Sequence, residues 1–311
     1  MRHFRKTAAA LSLSLLLLLS ILSGCAKTGA PATEPPQTTA PAPKVREGLQ
    51  TILIASLKEF SPDKTSGYRN AQQADLLMLL IVDEKEGSIA SLQLNPDSLV
   101  TFSPQGAGSA LELPLGQVFS YGSGGSDSCL SLTRSASRLL KGITIDHYMF
   151  FTLEAVGIVN RMIGGVEVEV TEALPGLEAG SIVRLSDDTI NAFFDFRDDS
   201  DTTNEAHMGR QQQYMMKAFI PFTAHMQQED FLSRLTIQLG DRLSTDLTLS
   251  QMAQLMELLG TCTLDETIHT LPGNAEAGGF RVDPDGAEQL LNALFTTDSP
   301  PLKQIPCGGF S

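Results

Sequence analysis

Two uninterrupted apolar runs constrain this chain most: "TILIASL" at Thr51–Leu57 and "DLLMLLIV" at Asp75–Val82. Each has the length of a strand and lacks the alternation of a half-buried one, so both faces need cover. A third run, "SIASLQL" (Ser88–Leu94), follows a Glu86-Gly87 turn and predicts a hairpin with the second. Helical patterns come next. One spans about Ser128 to Leu140 and ends at Gly142. A second follows the strand-like "DHYMFF", is capped by Thr152, and sets Leu153, Val156, Val159 and Ile163 on one face. "VEVEV" (Val166–Val170) alternates as a half-buried strand. Further helices are expected at Ser186–Phe194, at His207–Phe219, at Leu249–Leu259 stopped by Gly260, and at Pro284–Phe295. Strands alternating with helices give an α/β (α+β) class with a mixed central sheet between helices.

The N-terminus reads as a targeting segment. Arg2, Arg5 and Lys6 precede an uncharged Ala/Leu/Ser run, which ends in Leu22-Ser23-Gly24-Cys25. The run is short for a membrane span, and a branched residue and two small ones before cysteine form a lipobox. Residues 1–24 are therefore expected to be a lipoprotein signal peptide, with Cys25 lipidated. The Pro/Thr/Ala-rich linker 25–47 cannot build a core. As an extended stalk it would reach roughly 60 Å from a membrane. Cleavage removes three of the 22 basic residues, leaving 19 against 36 acidic ones, a net charge of −17. With no basic cluster to offset it, that charge excludes nucleic acid as a partner.

Several familiar sites fail on inspection. "GSGGSDS" lacks the G-x-S-x-G spacing of a hydrolase elbow. Asp198, Asp199 and Asp201 lack the glycine and terminal glutamate of a calcium loop. The histidines show no zinc spacing. Cys129, Cys262 and Cys307 permit at most one disulfide, and burial as an inert thiol is expected for at least one.

A longer pattern carries information. "KGITIDHYMFFTLEAVGIVNRMIGGVEVEV" (Lys141–Val170) resembles the central signature of the LytR–CpsA–Psr family, the cell-envelope-related transcriptional attenuator domain. In the same order, "QQADLLMLLIV", "SYGSGG", "AFFDFR" and "GRQQQ" resemble other blocks of that family. The resemblance covers about Ile52 to Phe222 and suggests a LytR–CpsA–Psr-like domain at 48–225. A C-terminal extension, 226–311, would pack on the same domain. The resemblance implies an extracytoplasmic phosphotransferase that moves a glycopolymer from a polyprenyl pyrophosphate carrier to peptidoglycan. It also implies an apolar tunnel for the lipid, arginines for the pyrophosphate and Mg²⁺ on aspartates. Asp75, Asp97, Arg197 and Arg210 match as catalytic residues. Arg197 and Arg210 would bind substrate, and Asp75 and Asp97 the metal.

This chain departs from the family at several slots. Pro96, Gln73, Asp195 and His207 stand where arginines are expected, and Lys58 replaces an acidic residue. Lys58 either supplies a replacement cation or pairs with a retained aspartate; Arg69 lies near enough in sequence to stand in for Gln73. The expected outcome is a lipid-anchored protein on the outer face of the bacterial cytoplasmic membrane, with weakened catalysis. The alternative is a non-catalytic lipoprotein that binds polyprenyl phosphate or wall glycan.

Overall fold

A computed structural model of the chain describes residues 45–62, 67–105, 109–198, 200–296 and, as backbone, 304–306. The expected signal peptide, Cys25, nearly all of the linker, and Cys307 lie outside the described residues. The strands are β1 (Leu49–Glu59), β2 (Gln72–Asp83), β3 (Ser88–Gln93), β4 (Leu99–Phe102), β5 (Leu111–Pro114), β6 (His147–Thr152), β7 (Glu167–Glu169), β8 (Ile182–Arg184), β9 (Leu243–Thr245), β10 (Thr263–Thr270), β11 (Gly273–Glu276), β12 (Gly279–Val282) and β13 (Gln304–Pro306). The helices are α1 (Ser126–Leu139), α2 (Leu153–Met162), α3 (Ile190–Asp195), α4 (Glu205–Met226), α5 (Phe231–Leu239), α6 (Leu249–Thr261) and α7 (Pro284–Phe295). No described helix is long and apolar enough to cross a membrane.

Seven strands form one mixed sheet in the order β13-β10-β3-β2-β1-β6-β9. β2 runs antiparallel to both β1 and β3, while β1–β6 and β3–β10 are parallel. The continuous apolar runs are explained by the period of two along a strand. Leu77, Leu79 and Ile81 of β2 face α1 and α7, in a core with Leu132, Ala136, Leu291 and Phe295. Leu76 and Met78 point the other way, into a second core with Val156, Phe193, Phe194 and Tyr214. With two apolar faces and two helical layers, these strands can only be central.

The expected elements are present, with three shifts. The helix expected from Ser186 begins only at Ile190. There the Thr189 hydroxyl accepts the Ser186 N–H at 2.9 Å and closes a turn that competes with the helix. The helix expected to stop at Phe219 runs on through Pro221 to Met226. Its apolar stripe continues past the proline, with Phe222 and Met226 against the second core. Gly260 lies inside α6 and does not stop it. A Cβ there would sit 2.7 Å from Gln227 Nε2, so glycine permits the close approach of the α4 terminus. By contrast, Gly164 and Gly165 do end α2, with φ of 83° and 81° and N–H bonds back to Arg161 and Asn160. The alternating "VEVEV" segment buries its valines but pairs with β8 outside the main sheet.

Beyond residue 226 the chain contributes β9, β10 and β13 to the central sheet. Cys129 and Cys262 are buried in different cores. Burial pushes the Cys129 thiol up to about 11, so it is inert at neutral pH.

Candidate functional site

Helix α4 connects two unlike environments. Its C-terminal half supplies Tyr214, Met215, Ala218, Phe219 and Phe222 to a cavity of about 250 Å³ between the sheet and α2, α5 and α6. Ile54 and Met78 form part of its floor and Val159 part of its wall. Among the described residues, its polar lining is Ser91, Tyr214 and Thr236. The Tyr214 hydroxyl is buried without a partner, and burial raises its pKa.

The N-terminal half of α4 carries His207, Arg210 and Gln211. His207 and Gln211 are one turn apart and so share a face. Both meet Asp75, the fourth residue of β2 and only 2% exposed. His207 Nε2 lies 2.8 Å and Gln211 Nε2 2.9 Å from Asp75 Oδ2. The Phe196 carbonyl, 2.9 Å from His207 Nδ1, can only accept. Gln211 Nε2 also lies 3.0 Å from His207 Nε2, so the three side chains form one buried polar group. Lys58, near the end of β1, places Nζ 2.6 Å from Asp75 Oδ1 and 3.2 Å from Asp195 Oδ1. Asp75 Oδ1 has no aligned hydrogen-bond donor, so the ammonium charge is its compensation. Burial alone would raise the Asp75 pKa; His207 and Lys58 outweigh it and hold the carboxyl below its ordinary value. Asp195 shifts the opposite way, raised by burial and by the Asp75 charge despite Lys58.

Two further pairs adjoin this group. Arg197 follows Phe196 and grips Asp97 through both terminal nitrogens. Against the lowering effect of burial, the Asp97 bond raises the Arg197 pKa. Asp97 is held in place by a turn: its N–H donates to Asn95 Oδ1 at 3.0 Å, and Asn95 Nδ2 donates to the Thr203 carbonyl just before α4. Arg210 is buried. It donates to the Phe193 and Phe196 carbonyls and pairs with Glu172. Phe196 O therefore accepts from both His207 and Arg210.

Thus Asp75 and Lys58 share one ion-pair group, Asp97 and Arg197 form a second, and Arg210 joins them through Phe196. Among the described residues, neither arginine forms an ion pair with Asp198 or Asp201. Asp201 instead caps α4, accepting the Glu205 and His207 N–H groups. Arg69 stands apart, exposed on the β1–β2 connection, with its backbone N–H on Ser120 O. Sequence reasoning did not single out Gln211 as a partner of Asp75. Its position four residues after His207 was the available signal. Glu172 lies in the loop after β7, and no periodicity marks it.

A divalent cation does not fit these aspartates as they are arranged. Mg²⁺ needs oxygen lone pairs at about 2.0–2.1 Å in an octahedron. One Asp75 oxygen faces an ammonium, the other faces the His207 imidazole and an amide, and Asp97 faces a guanidinium. Among the described residues no group of three or more metal-ligating side chains comes together.

Helices on both faces of a mixed sheet, with an apolar cavity and an ionic cluster that share helix α4, define an α/β protein with an internal pocket. The family model described as the LytR_cpsA_psr family matches residues 25–294, and the chain belongs to that family. Solved structures share the fold at low identity. TagV of B. subtilis has a TM-score of 0.60 at 16% identity, over 82% of this chain and 100% of that one. Protein gbs0355 from Streptococcus agalactiae gives 0.63 at 14%, over 83% and 91%. A structure of TagT bound to LI-WTA gives 0.58 at 16%, over 80% and 90%. No curated protein sequence matches the chain significantly.

Proposed function

We propose that this chain is a lipid-anchored protein of the outer face of the bacterial cytoplasmic membrane that binds a polyprenyl (pyro)phosphate-linked glycopolymer. In this reading the prenyl tail enters the cavity and the phosphates meet the ionic cluster. Transfer to peptidoglycan is weak in comparison with family members that keep their arginines. The observation that carries the reading is the continuity of α4, polar at His207–Gln211 and cavity-lining from Tyr214 onward. The Phe194 ring lines the cavity while its carbonyl accepts from Gln211 at 3.4 Å, so the two regions touch. Family membership and the TagT complex with LI-WTA support a glycopolymer ligand.

Weak chemistry follows from charge. Lys58, His207, Arg197 and Arg210 are each met by a carboxylate: Asp75 with Asp195, Asp75, Asp97 and Glu172. An incoming pyrophosphate must compete with these anions for every cation. Arg197 and Lys58, both partly exposed, are the groups a phosphate reaches first, and Arg210 fixes the Phe196 turn that presents them. Losing two or three charge-assisted contacts, at about 1.5–3 kcal/mol each, slows transfer by orders of magnitude. This same pairing favours the alternative reading, a binding protein without turnover.

The test is a binding and transfer assay on the full chain with a polyprenyl-pyrophosphate glycan. Binding at micromolar concentration, with transfer at least a hundredfold slower than an arginine-complete family member, is the expected result. Absence of binding refutes the proposal; transfer at the rate of such a member refutes weak catalysis.

A further inference from the structure

Lys58 stands among acidic groups as a metal ion would. Its ammonium lies between Asp75 Oδ1 at 2.6 Å and Asp195 Oδ1 at 3.2 Å, at the end of β1. Asp75 is buried, and its Oδ1 has no other compensation. A positive charge is obligatory at this point, because a buried unpaired carboxylate is strongly disfavoured. The other Asp75 oxygen is closed by His207 and Gln211, so the aspartate has no lone pair directed toward a second cation. Lys58 faces Gln73 across the β1–β2 ladder, so its backbone is fixed by the sheet and the ammonium is delivered from a rigid strand. An ammonium has three protons, of which two are in reach of Asp75 and Asp195. The side chain keeps 17% exposure, so it is not sealed from an incoming oxygen.

We infer that the Lys58 ammonium is a tethered replacement for a divalent cation, so that this site takes a lipid-linked phosphate without a metal ion. The position of the ammonium stands on the geometry alone; the identity of the ligand rests on the function proposed above. One consequence is a site that does not depend on the supply of Mg²⁺. Another is a fixed charge of one where an ion would bring two, which limits how much negative charge the site can offset during transfer.

The full chain in detergent tests this in two measurements. Mn²⁺ binding is followed by electron paramagnetic resonance for the wild type and for Lys58→Asp, with near-ultraviolet circular dichroism as the folding control. The wild type should bind no Mn²⁺ at 1 mM, roughly the upper range of a useful site. Lys58→Asp should gain a site, because the ammonium is removed and a third carboxylate is added beside Asp75 and Asp195. In the second measurement, wild-type binding of a polyprenyl phosphate is compared in EDTA and in Mg²⁺. It should change by less than about twofold, and Lys58→Met should weaken it about tenfold or more. Wild-type Mn²⁺ binding, a tenfold gain in affinity with Mg²⁺, or a folded Lys58→Asp protein that gains no Mn²⁺ site would each overturn the inference. If Lys58→Asp does not fold, the wild-type Mn²⁺ and Mg²⁺ results still decide it. Failure to bind polyprenyl phosphate under either condition overturns the proposed function and the ligand assigned here, while the Mn²⁺ results still judge the ammonium.

Discussion

At the scale of single residues, the cluster is a set of mutual obligations. Removing Lys58 leaves Asp75 buried with His207 and Gln211 alone. Lys58→Met should therefore lower stability by about 3 kcal/mol in urea unfolding, the low end for a broken buried pair. The pH dependence has a definite sign. The Asp75 pKa is depressed in the folded state, so its stabilisation is full above the unfolded value near pH 4 and is lost as pH falls through the folded value. Asp195 is raised and acts oppositely, opposing the folded state as pH rises through its folded value. Asp75→Asn should accordingly flatten the loss of stability below pH 4, read from urea midpoints across pH 2–5. The arginine–aspartate pair predicts a gain. Asp97→Asn should free Arg197 and strengthen pyrophosphate binding several-fold by calorimetry; an unchanged affinity would place Arg197 outside the ligand site. An arginine introduced at Pro96 would start from a buried position beside Asp97. Pro96 is buried, and its carbonyl accepts the Gly116 N–H at 2.7 Å.

Among the elements, legibility followed locality. β1, β2 and β3 were readable because an apolar run without alternation admits few alternatives, and α7 because Asp283-Pro284 marks its start. α5 was missed: "FLSRLTIQL" is short, and its cover comes from the cavity wall and from α2. The site was half legible for the same reason. Asp75, Asp97, Arg197 and Arg210 stand in recognisable blocks, yet Glu172 meets Arg210 from 38 residues away with no local signal. Lys58 was visible as a departure from pattern, but its choice between two roles required the Asp75 and Asp195 distances. The cavity belongs to this scale too. Ala218→Phe should fill part of it from α4, raise stability by about 0.5–2 kcal/mol in thermal unfolding, and abolish binding of a prenyl ligand. A destabilised protein that still binds the lipid would show that the cavity is not the tail site.

For the whole molecule, the proposed location turns on charge and anchoring. Under the anchoring proposed above, a mature charge of −17 would repel an anionic bilayer surface, and Cys25 would carry the membrane association. Cys25→Ala should shift the protein from the membrane to the soluble fraction or leave its precursor uncleaved; unchanged fractionation and an unchanged mature N-terminus would refute the anchor. The domain itself spans the whole described chain, since strands from beyond residue 226 complete the sheet that the family signature begins. One long helix runs beside both the ions and the cavity, and this gives the molecule a ruler. From His207 to Phe219, α4 covers about 18 Å at about 1.5 Å per residue. For a ligand seated by its phosphate at the His207 end, each added methylene along that length leaves water for the apolar wall, worth about 0.8 kcal/mol. Affinity for a series of prenyl phosphates should climb with tail length up to that mark and then level off, so that the protein sorts its lipids by how long they are.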